Sequence, residues 1–259
     1  MAVILMLKMK NILLLAMILH AAIFSARGEN YDSLDSVQGD KAYKAYNMRL
    51  ITRLHSLGQF SYGGRIVADN PVVDLNFSYD RKNWGLQVFK ALDTRDHNTP
   101  INFTLAVLNK NFHIGKRLTI TPSAGFILEQ SNTIADHGSD VTLIVTTVYK
   151  ISKEWMIEHS TLLGNLVLTP EERDWVNRFR CMYSKRHFDF IASVWHNNKV
   201  FDPAEYITYG ASVFYSRMKL AQGVSVNLGF TGLVMPYSND LLDYPKKNGL
   251  IFTMALVLN

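Results

Sequence analysis

The chain has 259 residues, 48% of them hydrophobic, 12% aromatic and 19% charged, with a formal net charge of +5 and one cysteine, Cys181. Lys8, Lys10 and Arg27 supply three of those positive charges within the first 28 residues, so the remainder is too weakly basic to recruit nucleic acid or a strongly acidic partner. A lone cysteine excludes an intrachain disulfide framework.

The first segment is "MAVILMLKMKNILLLAMILHAAIFSARGEN". Two lysines precede the apolar run Ile12 to Phe24, small residues Ser25, Ala26 and Gly28 follow it, and no acid occurs before Glu29. That layout predicts a secretory signal peptide over residues 1–28, with Ala26-x-Gly28 as a cleavage pattern. The run is shorter than the roughly 20 residues a membrane-spanning helix needs. Residues 29–57 form an N-terminal periplasmic segment or an extension of the first strand; within them "AYNMRLITRLHSLG" reads equally as an extra strand or a short periplasmic helix.

From there a period of two runs to the C-terminus. Twelve strands are expected, at about 59–69, 71–80, 83–93, 100–109, 117–129, 141–151, 155–168, 174–184, 187–197, 205–216, 223–235 and 249–258. Val73, Leu75, Phe77 and Tyr79 alternate with Asp74, Asn76, Ser78 and Asp80, and then Trp84, Leu86 and Val88 resume after a tight polar turn. Strands of about 9 to 11 residues match a tilted crossing of a bilayer. The connections alternate as well. "DRKN" (80–83), "SKE" (152–154), "KRH" (185–187) and "KLAQG" (219–223) are short, whereas "DTRDHNTP" (93–100), "SNTIADHGSD" (131–140), "NNKVFDPAEY" (197–206) and "PYSNDLLDYPKKNG" (236–249) are long. "ADNP" (68–71) is a short exception among the long ones, and "NKNFHIGKR" (109–117) is long enough to conceal strand ends. Short turns at one end and long loops at the other are the signature of an up-and-down barrel.

In the last strand Leu250, Phe252, Met254, Leu256 and Leu258 form the larger, wholly apolar face. The same parity sends Trp84, Leu86, Phe103, Leu105, Val107, Leu143, Val145, Phe188, Phe190, Val194, Tyr209 and Val213 outward. Aromatics gather near strand ends, where interfacial girdles lie. The opposite face is polar, and Arg65, Asp74, Gln87, Glu129, Glu158, Arg178, Arg180 and Asp189 are the expected lumen-lining residues. Burying that many charges in a dry sandwich core would need near-complete pairing, whereas a wet lumen does not. Glu158, Arg178, Arg180 and Asp189 share parity on three consecutive strands, which predicts ion pairs across the wall.

These features, with "DWVNRF" opening a strand after a polar loop, resemble small outer-membrane β-barrel proteins of Gram-negative bacteria over most of residues 59–259. The resemblance implies an all-β, up-and-down transmembrane β-barrel of about 12 antiparallel strands over residues 58–259. Chemistry is weakly signalled. "EHSTLLGN" sets His159 beside Ser160 with Asn165 nearby, but adjacent strand residues point to opposite sides, so no general base reaches the hydroxyl. The loop residues Asp93, Asp96, His97, Asp136, His137, Asp140 and Asp240 are solvating groups rather than a metal or acid-pair site, and Cys181 shares the outward parity of Trp175, Phe179 and Tyr183. No catalytic residue, cofactor or metal is expected. The expected function is a narrow porin-like channel for small polar solutes, with outer-membrane lipid around it. A plugged barrel that displays loops 131–140 and 236–249 to outer-membrane protein partners is the alternative; a rim-active hydrolase is the weaker one.

Overall fold

The computed structural model describes residues 47–60, 63–96, 101–129, 140–167 and 170–259, without the side chains of Phe60, Leu128, Glu129 and Glu172. The expected signal segment, His97, Asp136 and His137 lie outside the described residues. The strands are β1 (Asn47–His55), β2 (Gly58–Phe60), β3 (Arg65–Ala68), β4 (Val72–Arg81), β5 (Trp84–Asp93), β6 (Thr104–Lys110), β7 (Phe112–Ile114), β8 (Leu118–Glu129), β9 (Asp140–Lys150), β10 (Trp155–Leu163), β11 (Asp174–Lys185), β12 (Phe188–Lys199), β13 (Glu205–Ala221), β14 (Val224–Ser238) and β15 (Gly249–Leu258). All pairings are antiparallel, and β1 joins β15 on one side and β4 on the other, so the sheet closes. β6 and β7 both pair with β8 as one interrupted stave, which makes a closed barrel of twelve staves. Closure leaves no edge of the wall unpaired among the described strands.

The count of twelve conceals an exchange. Residues 47–55, in the stretch left undecided by the sequence, form the closing strand β1. Residues 59–69, expected as a wall strand, instead contribute to a separate two-stranded sheet, β2–β3, that sits inside the barrel. "ADNP" is therefore the tail of one long connection, and the rhythm of short and long links holds throughout. The reason is local: Gly63-Gly64 and Asp69-Asn70-Pro71 break the run into a hairpin too short to cross the wall. The "NKNFHIGKR" stretch does hold a strand end, β7. Below, the end carrying the short links is the turn end, and the other the loop end.

The alternation of β15 maps onto the wall as expected. Ile251, Thr253, Ala255 and Val257 are 1–5% exposed inside, while Leu250, Phe252, Met254, Leu256 and Leu258 are 37–64% exposed outside. Trp84, Leu86, Val145, Phe188, Phe190, Val194, Tyr209 and Val213 also face out. So broad an apolar exterior is a surface for hydrocarbon rather than water. β6 departs from the expectation. Phe103, Leu105 and Val107 are 3–5% exposed and pack inward with Phe89 and Ile127, and Leu108 faces out opposite Leu86. Register with β5 sets the face here, because both parities of β6 are apolar.

β13 and β14 run longest, and a bulge interrupts them: Tyr215 pairs with Leu228, yet Met218 pairs with Val226. The extra residue puts Arg217 in the left-handed region, at φ 66°, where its N–H donates to the Asn227 Oδ1 at 2.7 Å. The bulge turns the Arg217 side chain toward the interior, which plain alternation would not do.

Candidate functional site

Three charged clusters on the inner wall stand out among the described residues. In the first, the β10–β11 register sets Glu158 opposite Arg180 and Ser160 opposite Arg178. Arg178 Nη2 donates to Glu158 Oε1 at 3.0 Å and Arg180 Nε to the same oxygen at 2.9 Å, with Arg180 Nη2 closing a second bond to Oε2. The Ser160 hydroxyl adds a 3.3 Å bond to Oε1 and contacts Thr146 Oγ1 at 2.9 Å. One buried carboxylate holds two guanidinium groups.

The second group lies on the closing seam. Asp74 accepts from Arg53 Nε and His55 Nε2, both at 2.8 Å, and His55 Nδ1 lies 2.8 Å from the Thr253 Oγ1. β1, β4 and β15 thus converge on one buried carboxylate. The third is Asp189 Oδ1 with Arg217 Nη2 at 3.0 Å, made by the bulge. Between them Gln87 donates to Asn76 at 3.0 Å.

Of the residues expected to line the lumen, Asp74, Gln87, Glu158, Arg178, Arg180 and Asp189 occupy inward positions in these clusters. Asp189 joins Arg217 rather than Arg178 or Arg180, since it sits near the turn end of β12, opposite Ser184. The Glu129 side chain lies outside the described residues. Arg65 is not a wall residue at all: it belongs to β3, lies 5.9 Å from the Tyr206 ring centroid and 5.1 Å from that of Tyr244, and donates to the Asp243 carbonyl at 2.9 Å. Burial, with Asp174 and Tyr206 nearby, pushes the Tyr244 hydroxyl well above the usual phenol range, so it stays neutral.

Sequence reading missed Arg53, His55, Arg217 and the aromatic seat of Arg65. Arg49, Arg53 and His55 do share one parity in "NMRLITRLH", so that signal was present. No alternation rule could reveal Arg217, because the bulge sets its direction.

The described rim acids hold loop backbone. Asp93 accepts from the N–H groups of Arg95 and Asp96, Asp140 from Val167, and Asp240 from Leu242 and Asp243. Among the described residues no three His, Cys, Asp or Glu side chains stand together as a metal site. His159 and Ser160 point to opposite sides, His159 outward and exposed, with unbroken register on both flanks. Cys181 is a free, half-buried thiol of the outward parity.

No family model matches the chain, and no curated protein matches it in sequence. Solved structures do. A structure described as the KdgM porin superposes with a TM-score of 0.55 at 8% identity, covering 82% of this chain and 98% of its own. The NanC porin gives 0.55 at 12% identity, over 81% and 99%. The COG4313 outer membrane channel from Pseudomonas putida F1 gives 0.50 at 8%, over 88% and 99%. The chain has the fold of outer-membrane porins. At these identities the likeness speaks for the architecture alone, and the chemistry rests on the residues above.

Proposed function

We propose that the chain is an integral outer-membrane β-barrel acting as a narrow channel for small polar solutes, exported by a cleaved signal peptide and oriented with its turn end, N-terminus and C-terminus toward the periplasm. The observation that carries this reading is the Glu158–Arg178–Arg180 cluster: three ionised groups on the inside of a closed wall whose outside is apolar. A soluble sandwich would reverse those faces. A barrel of this size is largely filled by its own side chains, so a small conductance is expected. The porin-like fold supports the channel over a rim-active hydrolase, and among the described rim acids Asp93 and Asp240 are engaged in turns.

The packed loop end keeps the second reading, a plugged barrel presenting loops to protein partners, in play. Trp195, Tyr206, Leu233 and Ile251 are 5% exposed or less inside that end. Planar-bilayer recording of the purified protein separates the two. A channel gives resolved steps whose ion selectivity shifts when Arg178 and Arg180 are both replaced by alanine. Silence under all conditions contradicts the channel, and resolved currents indifferent to the double replacement contradict the place of the cluster in its path.

A further inference from the structure

Resting on the membrane-embedded part of that reading and not on conduction, we propose that the turn end is a ring-shaped binding surface for anionic phospholipid headgroups of the leaflet it enters. Every short link carries exposed cations: Arg81 and Lys82 between β4 and β5, Lys116 and Arg117 before β8, Lys153 before β10, Lys185 and Arg186 between β11 and β12, and Lys219 before β14. The exposed acid among the described residues of these links is Glu154, which accepts from the Ser152 hydroxyl at 3.1 Å. The described loop end leans the other way. Its exposed side chains include the acids Asp69, Asp96, Glu171, Asp202 and Asp243 against the bases Arg95 and Lys246. The small net charge of the chain conceals this separation of sign between its two ends.

Keeping the cations there works against folding in two ways. Neighbouring like charges repel, as in Arg81-Lys82 and Lys185-Arg186. The backbone is the second. Two-residue links, Lys82-Asn83 and Arg186-His187, join β4 to β5 and β11 to β12, and the first residue of each has φ 54°. Glycine, asparagine or aspartate suits that left-handed position, yet a long cation holds it twice. A partner of opposite charge accounts for both features. The direction of the side chains says which partner. Arg81 shares outward parity with Trp84 directly opposite it, and Lys185 does so with Phe188. Trp84, Trp155, Phe188 and Tyr215 are 40–46% exposed on the outside, the arrangement of an interfacial aromatic belt. Cations at the edge of that belt stand at the level of the headgroups, where guanidinium and ammonium groups donate to phosphate oxygens. A soluble polyanion would draw cations along the barrel axis, whereas Arg81 and Lys185 point sideways over the belt.

The test uses the full-length protein with Trp175→Phe in phosphatidylcholine vesicles that contain a brominated lipid. Trp84 and Trp155 are then the lipid-facing indoles, and Trp195, buried inside, adds a constant background. Brominated phosphatidylglycerol should quench at concentrations about threefold lower than brominated phosphatidylcholine. That advantage should vanish at about 1 M salt, where the screening length falls to about 3 Å. Arg81→Gln, Lys82→Asn, Lys153→Gln, Lys185→Gln and Arg186→Asn together should bring the two lipids within about 1.5-fold, asparagine keeping the two left-handed turns. Equal quenching by both lipids before replacement, or a preference that survives the five replacements or high salt, overturns the headgroup surface. If the replaced protein does not fold, the salt series on its parent decides alone. Quenching by neither lipid overturns the membrane reading itself, and a lipid preference without any bilayer current upholds this surface and overturns the channel instead.

Discussion

The two halves of the barrel interior are built differently. At the loop end the wall meets chain: Trp195, Tyr206, Leu233 and Ile251 are 5% exposed or less, and on the other side Val72, Ala91 and Ile101 pack with Ala68 of β3. Toward the turn end the inward residues Asn76, Ser123, Val148 and Asn227 are half-buried, and the Asp189 side chain keeps 25% exposure. A folded-in segment fills the loop end, whereas the turn end is filled in part by wall side chains alone, among them Met156 and Met182 at 9% and 1% exposure. The wall closes through its own ladder, and the hairpin forms a separate sheet.

The comparison can be broken at several points. The largest effect is expected from Glu158→Gln, which leaves Arg178 and Arg180 without their shared counter-charge in the interior. Losing one partner of such a cluster costs about 3 kcal/mol or more. Urea unfolding in lipid vesicles should show the loss, and an unchanged midpoint would mean that water already screens the cluster as well as at the turn end.

Next come paired arginine substitutions on the two sides of the wall. Met254→Arg points into the apolar exterior and should cost about 2–4 kcal/mol at the midplane. Ser123→Arg enters the half-exposed interior and should cost far less. Equal penalties would erase the distinction between faces.

A smaller effect, opposite in sign, is expected from His159→Leu. An imidazole on the hydrocarbon side is unfavourable, so its removal should raise the thermal midpoint by about 2–4 °C, what 1 kcal/mol moves a chain of this length. A fall would show that His159 has a polar neighbour in the membrane.

Much of this architecture was legible because alternation and loop length are local properties. β15 could be oriented from its own residues, since only one of its parities is uniformly large and apolar, and β12 from the polar Asp189, Ser193 and Asn197 that mark its inner one. β6 could not: Phe103, Leu105 and Val107 compete with Leu108 and Ala106, and only the pairing with β5 decides. The hairpin was hidden for a related reason. Arg65-Ile66-Val67-Ala68 is as apolar as a wall strand, and nothing in it says that its partner is the neighbouring strand β2. The ion pair between Glu158 and the two arginines followed from parity, whereas Arg217 depended on a bulge and Arg65 on tertiary packing against two tyrosines.

The direction of the wall is the claim on which the channel depends, and the single cysteine reports on it without any substitution. Cys181 lies mid-strand on β11 with outward parity, between Ile157 and Ala192. In sealed lipid vesicles a charged, water-soluble maleimide should leave it unmodified until the protein is unfolded in hot detergent. Rapid modification of the folded, vesicle-bound protein would put that face in water and contradict the account.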